Sequence, residues 1–231
     1  MNAKSCLVVA AHPDDEALGC GGTIALLASQ GTAVHIVFMT DGVSARSTKE
    51  LTTADVAAAS ARRRNAERAA AMLGAASVRF GQFPDNRMDR VDLLDVTKFI
   101  EGFVAEHRPD LVLTHHAGDL NVDHRVVQQA VMTACRPQPG QSVTTILFFE
   151  VVSSTEWQAG PGSRFSPNWF VDIASHLEAK RRALREYATE MRPWPHSRSF
   201  EAVEHLARWR GASVGVEAAE AFEVGRVLLR G

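Results

Sequence analysis

The sequence is short of cysteine and tyrosine, and it has no charge excess of either sign. Cys6, Cys20 and Cys135 are the three cysteines among 231 residues; they lie far apart and form no Cys-x-x-Cys pair, so a disulfide framework is not indicated. A reducing, cytoplasmic location is the expectation that follows. A formal net charge of −2 sets up no global field that would draw in nucleic acid or an anionic membrane. The basic clusters Arg62-Arg63-Arg64 and Lys180-Arg181-Arg182 have apolar neighbours at helical spacing and read as solvated helix faces. Long apolar runs are also missing: the run ahead of Pro13 is six residues long, too short for a signal peptide, and no stretch approaches a membrane span. Stable membrane insertion is therefore not expected. With no internal repeat, low-complexity tract or linker, residues 1–231 read as a single domain, and a homo-oligomer stays open.

What is present is a 45% hydrophobic, 23% charged composition, that of an ordinary globular protein, patterned as alternating strands and helices. Residues 7–11 are a short apolar run suited to a strand covered on both faces. Strands are expected again at 33–39, 77–80, 111–114, 144–149 and 169–173. Helices are expected at 23–30, 54–73, 91–107, from 121 to about 135, at 174–191 and at 200–210; period alone does not decide between strand and helix for 221–229. Strand–helix–strand succession implies right-handed parallel crossovers, hence an α/β fold with a mostly parallel sheet. The glycines after the first strand invite a dinucleotide fingerprint, but Ile24 stands where glycine or alanine is required, and the loop carries carboxylates where a pyrophosphate would be repelled. Residues 43–53 and 153–167 read as loops over the active edge.

The first strand ends in His12-Pro13-Asp14-Asp15-Glu16. Pro13 removes an amide donor and forces His12 to be extended, so these polar side chains leave the sheet at its carboxyl edge, where open α/β sheets bind ligands. Carboxylates this close repel unless a cation or hydrogen bonds compensate. A second cluster, His115, His116 and Asp119 followed by Asn121-Val122-Asp123-His124, reaches the same edge. His12, one aspartate and His124 can therefore converge. Two imidazoles and a carboxylate favour a catalytic zinc site with one position open for water. A remaining aspartate could serve as general base, which points to amide or ester hydrolysis.

Ala11-His12-Pro13-Asp14-Asp15-Glu16, Thr40-Asp41-Gly42 and Asp123-His124-Arg125 together resemble the PIG-L (LmbE-like) family of zinc-dependent N-acetylglucosamine deacetylases. The resemblance implies a Rossmann-like three-layer sandwich, His12, Asp15 and His124 as ligands of Zn2+ (or of Fe2+ in the cell), and Asp14 as the base that activates water. The expected reaction removes the N-acetyl group from a GlcNAc-type amino sugar in a glycoconjugate or secondary metabolite. The alternatives are an amidase of a thiol-sugar conjugate and a non-catalytic metal- or sugar-binding module.

One position departs from the family pattern. Many members have His-x-Asp-His where this chain has Asn121-Val122-Asp123-His124, and an amide can donate a hydrogen bond to an oxyanion but cannot deliver a proton. His115, His116 and His196 are the candidate proton donors, His196 with the added claim of sharing the Pro-Trp-Pro-His-Ser-Arg segment with Arg198. Asp123 is expected to orient a histidine and Asp41 to support the first loop. Arg46 and Arg198, with Glu150 and Trp157, are candidates on the substrate side.

Overall fold

The computed structural model describes residues 3–42, 52–160 and 164–229. Strands β1 (Ser5–Ala10), β2 (Ala33–Phe38), β3 (Ser77–Phe80), β4 (Leu111–His115), β5 (Thr145–Phe149), β6 (Trp169–Asp172) and β7 (Ala219–Val227) form one seven-stranded sheet in the order β3-β2-β1-β4-β5-β7-β6. The first five are mutually parallel, and β7 runs antiparallel to both β5 and β6. Helices α1 (Asp15–Ser29), α2 (Thr53–Met72), α3 (Leu93–His107), α4 (Val122–Ala134), α5 (Leu177–Glu186) and α6 (Phe200–Ala212) cover it.

β1 shows why this is a three-layer α/β sandwich. Its residues alternate between faces: Cys6, Val8 and Ala10 pack into a core shared with α1, α2, α5 and α6, whereas Leu7 and Val9, with Ala11 just past the strand, pack with α3 and α4. Both faces are covered, so the strand can be apolar throughout. Strand order reverses beside β1, with β2 on one flank and β4 on the other; that switch point opens a crevice at the carboxyl edge.

Three local differences from the sequence pattern have physical causes. First, α1 begins at Asp15, with the glycines inside it. A Cβ on Gly19 would strike the Phe149 ring, and one on Gly22 would strike Ile173, so these glycines let the helix approach the sheet closely. Second, residues 219–227 are a strand because β5 and β6 bracket them and supply partners on both edges. Third, 174–191 divides into a 3-10 turn (Ala174–His176), α5 and a turn that delivers Glu190.

The basic clusters also need correction. Arg63 and Arg64 are exposed, but Arg62 is 6% exposed and pairs with Glu190. Lys180 is 3% exposed. α1 kinks at Cys20 (φ −145°, ψ 22°), which breaks its backbone ladder; Lys180 Nζ donates to Leu18 O at 2.8 Å, and the Glu220 carboxylate accepts from Gly22 N at 2.9 Å and Thr23 N at 2.7 Å. Lys180 and Glu220 are themselves 2.6 Å apart, so the pair is neutral and its polar atoms are occupied.

Cys6, Cys20 and Cys135 are buried and free. Among the described residues no helix is long and apolar enough to cross a membrane.

Candidate metal centre

The carboxyl ends of β1 and β4 and the start of α4 deliver the polar residues to the switch point. After β1 the chain turns through Asp14, whose φ of 125° is strained for a residue with a side chain and costs on the order of 1–3 kcal/mol. Asp14 occupies the N-cap position of α1, yet its side chain caps nothing. The adjacent carboxylates have separate partners: Asp15 Oδ2 accepts from His12 N at 2.8 Å, and Glu16 accepts from Asp14 N at 3.0 Å and from the Tyr187 hydroxyl at 2.7 Å. Burial pushes the Glu16 carboxyl up to about 8, the Tyr187 hydrogen bond notwithstanding.

His12, Asp15 and His124 present their ligand atoms to one point. His12 Nδ1 lies 3.2 Å from Asp15 Oδ2, His124 Nε2 lies 3.3 Å from the same oxygen, and the two nitrogens are 3.3 Å apart. Tetrahedral zinc with bonds of 2.0–2.1 Å sets its ligand atoms about 3.3–3.4 Å from one another, so this triangle has the dimensions of one face of such a site, and the three residues could hold a metal ion. The outer nitrogens support the fit. His12 Nε2 is 3.1 Å from Asp123 Oδ2 and 3.2 Å from Asp85 Oδ1, and His124 Nδ1 is 3.1 Å from Asp119 Oδ1. A proton on each outer nitrogen, facing a carboxylate, turns the inner lone pairs toward the shared point.

Those carboxylates are themselves held. Asp123 accepts from the backbone N–H of Asn86 at 2.6 Å and of Met88 at 3.0 Å, and Asp119 accepts from the hydroxyls of Ser154 and of Thr155. Burial alone would lower His124, but the charge of Asp15 and the hydrogen bond to Asp119 push it up to about 9. Burial also opposes charge on His12, and Asp123, Asp15 and Asp85 outweigh it and raise the ring well above its ordinary value.

Asp14 stands outside the triangle. Burial raises its carboxyl above the usual range, against the pull of Arg198, whose Nη1 donates to Asp14 Oδ2 at 2.8 Å and whose Nε donates to Ser153 Oγ at 2.9 Å. Arg62 lies 3.9 Å from the same oxygen and donates to Pro13 O at 3.1 Å.

Of the residues singled out by sequence, His12, Asp14, Asp15, Asn121, His124 and Arg198 line one polar cavity of about 170 Å3. Asn121 caps α4, its Oδ1 accepting from Asp123 N at 2.8 Å, while its Nδ2 donates to Asn86 Oδ1 at 2.9 Å. Asp123 is buried against His12. The three further histidines are not among the described residues lining the cavity. His115 is fully buried, stacks on His124 at 3.9 Å and accepts from Ala11 N at 2.8 Å; burial and the nearby His124 hold it well below its ordinary value. His116 meets Glu223 at 2.7 Å, and His196 Nδ1 accepts from Arg198 N at 3.0 Å. Glu150 is tied to Arg210, Trp157 is 51% exposed beside His196, and Asp41 lines a neighbouring cavity. Arg46 lies outside the described residues.

Asp85, Ser154 and Glu190 carry no role in the sequence pattern, Asp119 enters it only as a member of the cluster at the active edge, and Arg62 only as part of a solvated helix face. A signal existed for Arg62: Ala66 and Ala69, four and seven residues on, are buried with it, which places it on the inner stripe of α2.

Fold and site together define an α/β enzyme whose switch-point cluster could hold a metal ion. The family model described as PIG-L, GlcNAc-PI de-N-acetylase, matches residues 7–135, and the chain belongs to that family. The 1D-myo-inositol 2-acetamido-2-deoxy-alpha-D-glucopyranoside deacetylase of Rhodococcus erythropolis is 28% identical over 252 residues, covering 86% of this chain and 85% of its own. The 4-oxalmesaconate hydratase of Pseudomonas putida is 33% identical over 210 residues, covering 84% and 76%. The solved structure of N,N'-diacetylchitobiose deacetylase from Pyrococcus horikoshii shares the fold, with a TM-score of 0.76 at 24% identity over 97% of this chain and 85% of that one. The named deacetylases support a deacetylase role; the hydratase shows that water is added to other substrates on a related chain.

Proposed function

We propose that this chain is a zinc-dependent hydrolase that removes the acetyl group from an N-acetylated amino sugar, of GlcNAc type, carried on a glycoconjugate or secondary metabolite. The observation that carries the reading is the spare carboxylate: Asp14 lines the cavity beside the His12–Asp15–His124 triangle without belonging to it. Holding a metal does not need that group, whereas hydrolysis does. Zinc bound at the triangle supplies a Lewis acid that brings the acidity of water to near pH 7 and stabilises charge developing on the amide oxygen.

Asp14 takes the proton from the attacking water, and Arg198 holds its carboxylate at 2.8 Å. The water oxygen bonds to the amide carbon, the C–N bond breaks, and Asp14 returns the proton to the leaving nitrogen, giving acetate and a free amine. Proton return falls to Asp14 because Asn121 has no proton to give and His115, His116 and His196 are engaged elsewhere. Asn121 donates from its amide to the developing oxyanion. Asp123 keeps His12 in one tautomer.

Metal analysis followed by acetate release from a panel of GlcNAc derivatives tests the reading; one zinc per chain and acetate from at least one derivative are expected. The hydratase relative motivates a second reading, water addition to an unsaturated tricarboxylate. Zinc with hydration of such an acid and no acetate from any amide would assign that reading instead.

A further inference from the structure

We propose that the turn Ser153-Ser154-Thr155, just past β5, positions both halves of the site: Ser153 sets the general base through Arg198, and Ser154 and Thr155 set the metal ligand His124 through Asp119. The inference rests on the deacetylase reading above, in which Asp14 is the base.

The hydroxyls of this turn reach partners far away in the sequence. Serine and threonine in turns commonly bond the backbone beside them. Here the backbone is closed largely by other groups: Thr155 N donates to Val151 O at 2.9 Å, and the Glu156 carboxylate accepts from Ser153 N at 2.7 Å and Ser154 N at 3.3 Å. Thr155 Oγ1 accepts from Val151 N at 2.8 Å, which leaves its proton for an outside partner. The Ser154 and Thr155 hydroxyls both donate to Asp119, and Ser153 Oγ accepts from Arg198 Nε at 2.9 Å. Ser154, Thr155 and Asp119 are buried, so water does not compete for the bonds among them.

The backbone of Ser153 is a second, independent sign. Its φ of 66° lies in the left-handed region, which glycine adopts freely and a residue with a side chain only at a cost. What serine adds at this position is the hydroxyl that holds Arg198.

Adjacent serines therefore end at different reacting groups. From Ser153 the path runs through Arg198 Nη1 to Asp14 Oδ2, 2.8 Å away. Held at Nε, the guanidinium keeps the carboxylate in one place. From Ser154 the path runs through Asp119 Oδ1 to His124 Nδ1, 3.1 Å away. Two hydroxyl donors, with Asn121 N at 2.8 Å, fix the Asp119 carboxylate and through it the imidazole.

The test compares the full-length wild type with Ser153→Gly and Ser154→Ala. Zinc affinity is read by chelator competition and turnover by acetate release. The Arg198 Nε–H is followed by NMR, its resonance assigned by its loss in Arg198→Ala. Ser154→Ala should weaken zinc binding about tenfold and keep the Arg198 resonance protected from exchange. Ser153→Gly, which suits the backbone at that position, should keep the zinc affinity, lose that protection and lower turnover about tenfold. On top of Arg198→Ala, Ser153→Gly should cost no further turnover; on top of Asp119→Asn, Ser154→Ala should cost no further zinc affinity. If Ser154→Ala does not fold, Thr155→Val should lose the zinc affinity that Thr155→Ser keeps. The proposal is overturned if the two single variants share one pattern, if either shows no change in its own readout, or if the paired changes add in full. Absence of acetate from the wild type, with the zinc and resonance results as expected, counts against the deacetylase reading alone.

Discussion

Two buried polar clusters grip the two ends of the same short stretch of α1, and they are built on opposite principles. At Cys20 the Lys180–Glu220 pair closes on itself: opposite charges meet at 2.6 Å, and each also takes a backbone group freed by the kink. At Asp15 the cluster stays open, with two imidazoles and one carboxylate oxygen at mutual distances of 3.2–3.3 Å and their remaining atoms braced by further carboxylates. The first arrangement is complete without a ligand, and the second is a donor set that could hold a cation. Burial and charge do not by themselves mark a site; what marks it is a donor set whose geometry the protein's own groups leave unfinished.

Variants should separate the two clusters. The largest effect is expected from Asp14→Asn: turnover falls by about 10²–10⁴-fold while zinc content, read by elemental analysis, stays at the wild-type value. Next, Lys180→Met leaves the Glu220 carboxylate buried without its cation, and denaturant unfolding should show a loss of about 3–5 kcal/mol. The double change Lys180→Met with Glu220→Gln should recover part of that stability, since the charge is gone. Asp119→Asn removes the brace on His124, and zinc affinity should drop by about 10–100-fold with little change in unfolding. A drop of that size in Lys180→Met as well would mean that the clusters are not independent.

A separate expectation concerns pH dependence. In the metal-free protein His124 titrates at about 9, so below that pH zinc must displace its proton, and the apparent affinity should weaken by about tenfold per pH unit for each proton displaced as pH falls. His12, also raised, makes the slope steeper. Zinc titrations between about pH 6 and 9 check this, and a flat profile would mean that the rings are already neutral.

The sheet and its site-bearing ends were legible because they rest on local signals. Short apolar runs ended by Pro13 or by His115-His116 give strands that stop at polar clusters, and Asn121 gives a cap. The register of 219–227 was not legible, because its partners Thr145–Phe149 and Trp169–Asp172 are distant in sequence. The same holds for the burial of Lys180, which depends on Glu220. At the site, the His12 and His124 motifs announced themselves by residue type. Of the carboxylates that brace them, Asp123 was legible as the partner of a histidine and Asp119 only as a member of the cluster at the edge, its carboxylate being held by Ser154 and Thr155, which are distant in sequence; Asp85, in a loop of ordinary turn composition, was not legible.

The most direct test is an equilibrium zinc titration of the chelator-stripped protein beside His124→Ala and Asp15→Ala. The account predicts one tightly bound zinc per wild-type chain and loss of that site in both variants, with the fold retained by circular dichroism. Equal stoichiometry and affinity in all three, or no tight binding in the wild type, would contradict it.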